Sequence, residues 1–333
     1  MNRRDIAFVV GTLIIAAALA MVPTITAKES IINLLVLVYI YVMMASSWNI
    51  IGGIAGQVNL GHAAFFGLGS LVSRILWTKG WPLSVSMILG ALVPVAFALI
   101  IGAPSFKLRG VYFAIGTLAM AQILFITTRN LFPMISSLPT EALATYSLAP
   151  RYYMALGMTL LTVLVVFWLS RSRWGLGMIA VREETSAAES LGVSALQHKL
   201  LALCLSAFFA GLAGGVFAYY SAGYYLFFPF FPTWTFDAVM ATYIGGTGTV
   251  IGPIIGAVFY VLVKEILALR FVELHPFIFG TLFILVVLFL PGGMIQIWSR
   301  LRRLFRRAAP VPSEGKEREI PESNMMHDRP AVE

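Results

Sequence analysis

The chain alternates long apolar runs with short polar intervals. Apolar runs occupy residues 6–22, 31–51, 60–77, 83–103, 111–131, 152–170, 200–222, 236–248, 253–271 and 276–298. A helix needs roughly 20 apolar residues to cross a hydrocarbon core about 30 Å thick. The pattern therefore predicts an all-α, polytopic membrane protein with about ten transmembrane or partly spanning helices. The third and eighth runs are the weakest: Gly67, Gly69, Ser70 and Arg74 interrupt one, and the other is short. Either would be a re-entrant or broken helix buried against its neighbours. Beyond Arg307 the apolar runs stop, so 1–299 reads as a membrane domain and 300–333 as a basic and then disordered cytoplasmic tail.

The longest polar interval before that tail is 171–199, RSRWGLGMIAVREETSAAESLGVSALQHK. A charge at the centre of a membrane helix costs roughly 2.5–3.5 kcal/mol on the insertion scale, so a segment carrying Arg171, Arg173, Arg182, Glu183, Glu184, Glu189 and Lys199 must face water. Gly175 and Gly177 precede a helix-favouring run over 182–191, and Gly192 stands where a left-handed C-terminal glycine would close it. Val181, Thr185, Ala188 and Leu191 fall on one mildly apolar face, with Arg182, Glu183, Ser186 and Glu189 pointing away. Ala187 and Ala188 keep one side slim enough for a partner's surface to approach. A solvated connecting helix would show the same pattern.

Composition agrees with the membrane reading: 59% of residues are hydrophobic, 11% are charged and the mean hydropathy is +0.87. The net charge of +8 sits in loops and tail without a basic recognition motif, so no nucleic acid is expected as a partner. It serves better as a topology signal. With the N-terminus inside, the inner side carries Arg3, Arg4, Lys107, Arg109, Arg171, Arg173, Arg182, Lys199 and the cluster from Arg300 to Arg307; the outer side carries Lys28, Arg74, Lys79, Arg129, Arg151 and Arg270. The excess predicts both termini and the 171–199 loop in the cytoplasm. The basic start followed by Ala18-Leu19-Ala20 imitates a cleaved signal peptide, but the spans that follow favour an uncleaved first helix. Cys204, in an apolar run, reads as packing.

Two glycine-rich stretches interrupt apolar runs: Gly52-Gly53-Ile54-Ala55-Gly56-Gln57-Val58-Asn59-Leu60-Gly61-His62, and Gly245-Gly246-Thr247-Gly248-Thr249-Val250-Ile251-Gly252-Pro253-Ile254-Ile255-Gly256. Each follows a span of the same sense, as an internal duplication would leave them, and chance glycine packing between helices reads equally well. Neither is a phosphate cradle, because no Gly-Lys-Ser/Thr follows a glycine loop, and any ATP hydrolysis is expected in a separate chain. His62, His198, His275 and His327 lack ligand spacing, so neither a metal nor another cofactor is expected in this chain, and no catalytic cluster marks it as an enzyme. The candidates for a translocation path are Gln57, Asn59, His62, Tyr112, Thr117, Gln122, Asp237, Gly246 and Thr247. Uncharged polar groups of this kind also join helix to helix. Asp237 is expected near the outer boundary, and Lys264 and Glu265 read as members of structural ion pairs ahead of a transport role.

Five blocks carry a family likeness. WNIIGGIAGQVNLGHAAFFGLGS (48–70), LRGVYFAIGTLAMAQI (108–123), the 171–199 loop, SAFFAGLAGGVFAYYSAG (206–223) and YIGGTGTVIGPIIGA (243–257) together resemble the LivM-type permeases of bacterial ABC importers for branched-chain amino acids and related solutes. The likeness runs from about residue 30 to 295. It implies a permease in the bacterial inner membrane, paired with a second, homologous permease, two cytoplasmic ATP-binding subunits and a periplasmic solute-binding protein. It also assigns a role to the loop. Importer permeases present an E-A-A-x3-G element to the ATPase, and Ser186-Ala187-Ala188-Glu189-Ser190-Leu191-Gly192 is similar to it, with Ser186 in place of the acid. The resemblance therefore implies ATPase coupling through Arg182, Glu183, Glu184, Ser186, Ala187, Ala188, Glu189 and Gly192. Relatives commonly carry Thr-Gly-Gly in the outer loop after the fifth span, where this chain has NLFPMISSLPTEALATYSLAP (130–150), so urea, short amides and other small carboxylates stay open beside amino acids. The alternative class is a secondary transporter or channel working without ATPase partners.

Overall fold

The computed structural model describes residues 3–270 except 27, 109, 139, 141, 142, 144 and 145, together with scattered positions between 277 and 296. Helices dominate. The first, α1 (Arg3–Ala20), continues into a single turn, α2 (Val22–Ile25), and α3 (Glu29–Asn49) ends in a wide π-helical turn (Ile50–Ile54). Then come α4 (His62–Thr78), α5 (Leu83–Ser105), α6 (Val111–Leu131), β1 (Ile135–Ser137) and α7 (Leu148–Arg171). The polar interval forms α8 (Arg173–Glu183) and α9 (Thr185–Ser190). The chain goes on through α10 (Ala195–Tyr220), β2 (Gly223–Tyr225), a 3-10 turn (Phe228–Phe230), α11 (Pro232–Gly245) and α12 (Ile251–Arg270).

Among the described residues seven helices are long and apolar enough to cross a membrane: 5–25, 29–54, 83–105, 111–131, 148–171, 195–220 and 251–268. The two weakest apolar runs become short helices, α4 of 17 residues and α11 of 14. The run at 276–298 falls largely outside the described residues, as does the tail at 300–333. The fold is not purely helical: β1 pairs antiparallel with β2, Ile135 opposite Tyr225.

The core lies along α3 and α10. Nearly every residue of α3 from Val36 onward is buried, and a helix that is apolar all round belongs inside a bundle. Small residues bring α10 against α4 and α5. A Cβ on Gly69 would collide with the Gly211 carbonyl, and one on Gly214 with the Phe66 carbonyl. In the same way, a Cβ on Gly256 would strike the Ala241 carbonyl, which explains how closely α12 lies on α11. Lipid tails are as apolar as leucine, so such close van der Waals contact is what holds membrane helices together.

Candidate functional site

The polar interval folds as an elbow at one end of the bundle, the end that also holds Asp5, because Arg171 Nε donates to Asp5 Oδ1 at 2.7 Å. Sequence reasoning expected one helix over 182–191; the structure has two. Gly175 and Gly177 lie inside α8, where a Cβ would strike the Leu169 carbonyl and the His198 ring respectively. These glycines therefore buy close packing, not a helix start. Helix α8 stops at Glu184, whose backbone is extended (φ −154°, ψ 107°) and whose carboxylate accepts from Ser186 N at 3.4 Å and Ser186 Oγ at 2.7 Å. Those hydrogen bonds hold the Glu184 carboxyl below its ordinary pKa, so it caps α9 as an anion. Gly192 has φ +83°, the left-handed turn expected of it.

Ala188 is turned inward, buried against Val181, Ala195 and Val193. The outward face of the elbow is formed by Ser186, Ala187, Glu189, Gly192 and Leu191, the last 85% exposed. Arg182 does not point away from the protein. Its Nη1 donates to the Gly53 carbonyl at 2.7 Å, and its second guanidinium nitrogen pairs with Glu183. The aliphatic stem of Arg182 fills the space a Cβ would need on Gly56, and a Cβ on Gly248 would stand 2.9 Å from its Nη1. Gly56 and Gly248 both have positive φ (70° and 74°), where a side chain would be strained.

One arginine of the elbow thus touches both glycine-rich stretches. They are tied together as well: Asn49 Oδ1 accepts from Gly248 N and Asn49 Nδ2 donates to the Thr249 carbonyl, each at 2.8 Å. Asn49 escaped the sequence reading because it sits inside an apolar run, and only its place one turn before the first break could have marked it.

Beyond the π turn the chain folds back under Trp48, whose Nε1 donates to the Asn59 carbonyl at 2.7 Å. Asn59, His62 and Thr117 come together here. Leu60 N donates to Thr117 Oγ1 at 3.1 Å, Asn59 Oδ1 accepts from Gly61 N at 2.8 Å, and His62 Nε2 is 2.8 Å from Ser47 Oγ. Asn59 and Thr117 line a small cavity of about 10 Å³, space for about one water. Asn59 Nδ2 and His62 Nδ1 are buried without a hydrogen-bond partner. Gln57 is half-buried beside this group. On α6, Tyr112 is 73% exposed and Gln122 half-buried, and neither joins it. Gly246 is buried with φ 127°, next to half-buried Thr247.

Asp237 lies elsewhere, between α3, α11 and α12. Its carboxylate accepts from Tyr41 Oη at 2.8 Å, Tyr260 Oη at 2.6 Å and Lys264 Nζ at 2.6 Å. Lys264 thus takes Asp237 as its partner. At the end opposite the elbow, Arg74 is fully buried on α4. Its guanidinium donates to the carbonyls of Ala218, Ser221, Ala222 and Ser136 and to Ser136 Oγ, at 2.7–3.1 Å. Sequence reasoning counted Arg74 as a weakness in a span; the structure makes it the clasp that holds the β1–β2 ribbon on α4 and α10.

A family model described as "Branched-chain amino acid transport system / permease component" matches residues 30–287. The high-affinity branched-chain amino acid transport system permease protein LivM of Salmonella typhimurium is 27% identical over 325 residues, covering 87% of this chain and 75% of that protein. LivM of Escherichia coli is 26% identical, covering 91% and 77%. The autoinducer 2 import system permease protein LsrC of Enterobacter sp. is 28% identical over 275 residues, 75% of each chain. No solved structure matches. With these permeases as relatives and seven apolar spans among its described residues, the chain is a multi-pass protein of the bacterial inner membrane. It belongs to the family of branched-chain amino acid transport system permease components.

Proposed function

We propose that the chain is one permease subunit of an ATP-driven importer for branched-chain amino acids or a related small polar solute. It works beside a second homologous permease, two cytoplasmic ATP-binding subunits and a periplasmic solute-binding protein. About ten crossings put both termini and the elbow in the cytoplasm. The relatives include an autoinducer 2 import permease as well as amino-acid permeases, so urea and short amides remain alternative cargo within the same reading.

One observation carries the proposal: a water-exposed elbow is seated, through Arg182, on both breaks in the membrane helices. Closure of the ATP-binding subunits would push on the outward face at Ala187 and Glu189. Arg182 passes the displacement to Gly53 and Gly248, where the backbone can bend without moving a side chain. The break around Asn59, His62 and Thr117 then rearranges and opens the path.

Two substitutions test this in the purified complex. Ala187→Trp is expected to release the ATP-binding subunit and abolish uptake, while Arg182→Ala keeps that subunit bound but lowers solute uptake per ATP hydrolysed. A hydrogen bond to a charged group contributes about 1.5–3 kcal/mol, so the Arg182→Ala loss is about tenfold or more. Uptake by Ala187→Trp at the normal rate sinks the proposal. A rival reading, an ion-coupled secondary transporter, draws on the ionisable Asp237–Lys264 pair within apolar helices. Uptake that survives ATP depletion and collapses with the ion gradient would favour it.

A further inference from the structure

Specific contacts pin the first helix to the rest of the protein near both its ends. At the elbow end the Phe8 ring stacks on Phe167 with centroids 4.2 Å apart, beside the Asp5–Arg171 ion pair. At the other end Tyr152 Oη donates to the Leu19 carbonyl at 2.6 Å and Tyr153 Oη to the Ala20 carbonyl at 3.3 Å. Between these pins no residue of α1 is buried. The middle of α1 stands away from α3, α7 and α12 and leaves a cleft of about 650 Å³. Gly11 and Ala16 line it from α1, Val38 and Val42 from α3, and Ile255 and Val258 from α12.

The chemistry of the walls restricts what can fill that space. The three polar side chains on the lining are already engaged: Thr12 Oγ1 with the Phe8 carbonyl, Thr159 Oγ1 with the Tyr39 carbonyl and Tyr39 Oη with Tyr152 Oη. No polar group of the cleft therefore asks for a hydrogen bond, and water has nothing there to bind. The cleft is walled by helices that span the bilayer, so it opens at the depth of acyl chains. Left empty, its walls would forfeit their dispersion contacts. Size separates the two apolar occupants. The pins at Phe8 and Leu19 lie roughly 16 Å apart along α1, so a membrane helix, about 10 Å across and spanning a ~30 Å core, cannot lie between them. A single flexible hydrocarbon chain is thin enough to enter between the pins.

We propose that this cleft is a binding site for a phospholipid acyl chain, which completes the packing of α1 against α3 and α12. The site is independent of the transport reading, since it requires only that these helices lie in a bilayer. Gly11 is the place to test it, because a Cβ there meets nothing within 4 Å and added bulk projects into open space. The full complex is reconstituted in phosphatidylcholine liposomes containing a phosphatidylcholine with a photoreactive diazirine in its acyl chain, and cross-linked peptides are mapped. Strong labelling of peptides from α3 and α12 is expected at Val38, Val42 or Val258. The double variant Gly11→Leu/Ala16→Phe fills the cleft from α1 and should cut that labelling about tenfold, with the Phe8 and Tyr152 pins left in place. Thermal unfolding of the variant checks that it is folded, and its midpoint should no longer rise with added lipid, whereas that of the native protein is expected to. Labelling at those residues unchanged by the double variant overturns the proposal. So does a Val258→Cys variant that cross-links efficiently to another permease subunit, which would make the cleft a protein interface.

Discussion

Asp237→Ala should lower the stability of the protein by about 3 kcal/mol, seen as an earlier thermal unfolding of the detergent-solubilised complex. The carboxylate is 7% exposed and joins three helices, through Tyr41 on α3, Tyr260 and Lys264 on α12, and its own place on α11. Removing it leaves an ammonium and two phenols facing an apolar core. The lower end of the usual 3–5 kcal/mol range applies because Lys264 is about a third exposed and partly screened. The double variant Asp237→Leu/Lys264→Met removes both charges and is expected to recover most of the loss. Its uptake then separates a structural pair from a transport role: a folded double variant that still imports solute leaves the pair structural, and a folded one without uptake assigns it to the path.

Substitution of Arg74 should be at least as damaging at the other end of the bundle. Arg74→Ala withdraws five hydrogen bonds and leaves four carbonyls without that donor; orphaned buried groups cost about 1–3 kcal/mol each, and the loss is set at roughly 3–5 kcal/mol because water at the chain ends recovers part of it. Arg74→Lys keeps the charge but has three donors on a single point and cannot serve at once Ser136 Oγ, the Ala218 carbonyl and the Ala222 carbonyl, which three different guanidinium nitrogens reach, so it is expected to rescue little. Cysteines at the paired positions Ile135 and Tyr225 report on the ribbon directly. They should form a disulfide readily in the Arg74 protein and slowly in both variants. An undiminished rate in Arg74→Ala would show that the ribbon holds without its clasp.

Much of the fold was legible because its causes are local. Among the described residues the apolar runs became helices, and the two weakest, broken by Gly67, Gly69 and Arg74 or cut short near 245, became the short helices of 17 and 14 residues. The elbow was legible from its charges. Its internal geometry was not, since Gly175 and Gly177 read as helix boundaries and proved to be contact points for Leu169 and His198. Ala188 read both as a member of an apolar face with Val181 and Thr185 and as part of a slim surface for a partner; the structure buries it with Val181 and leaves only Ala187 outward, because burying one face of a helix this short leaves the neighbouring position exposed. Among the path candidates, Asn59, picked by residue type, and Thr117, picked by its spacing on α6, line one cavity, and His62 packs close by against Ser47. Tyr112 and Gln122 share the helical spacing of Thr117 without its position, since spacing along α6 names a face and says nothing of what that face meets.

By itself the sequence determined a multi-helix membrane protein, the place of its water-facing elbow, the two glycine breaks and the family likeness. Hydropathy and glycine act over a few residues, and those features need nothing more. Only the tertiary structure decided that Arg182 reaches Gly53 across 129 positions, that Arg74 gathers carbonyls 62 to 148 positions away, and that Asp237 answers Lys264. The distant partners of the two arginines are all but one backbone carbonyls, which every residue carries, so no letter in the chain could have named them until folding brought those oxygens together.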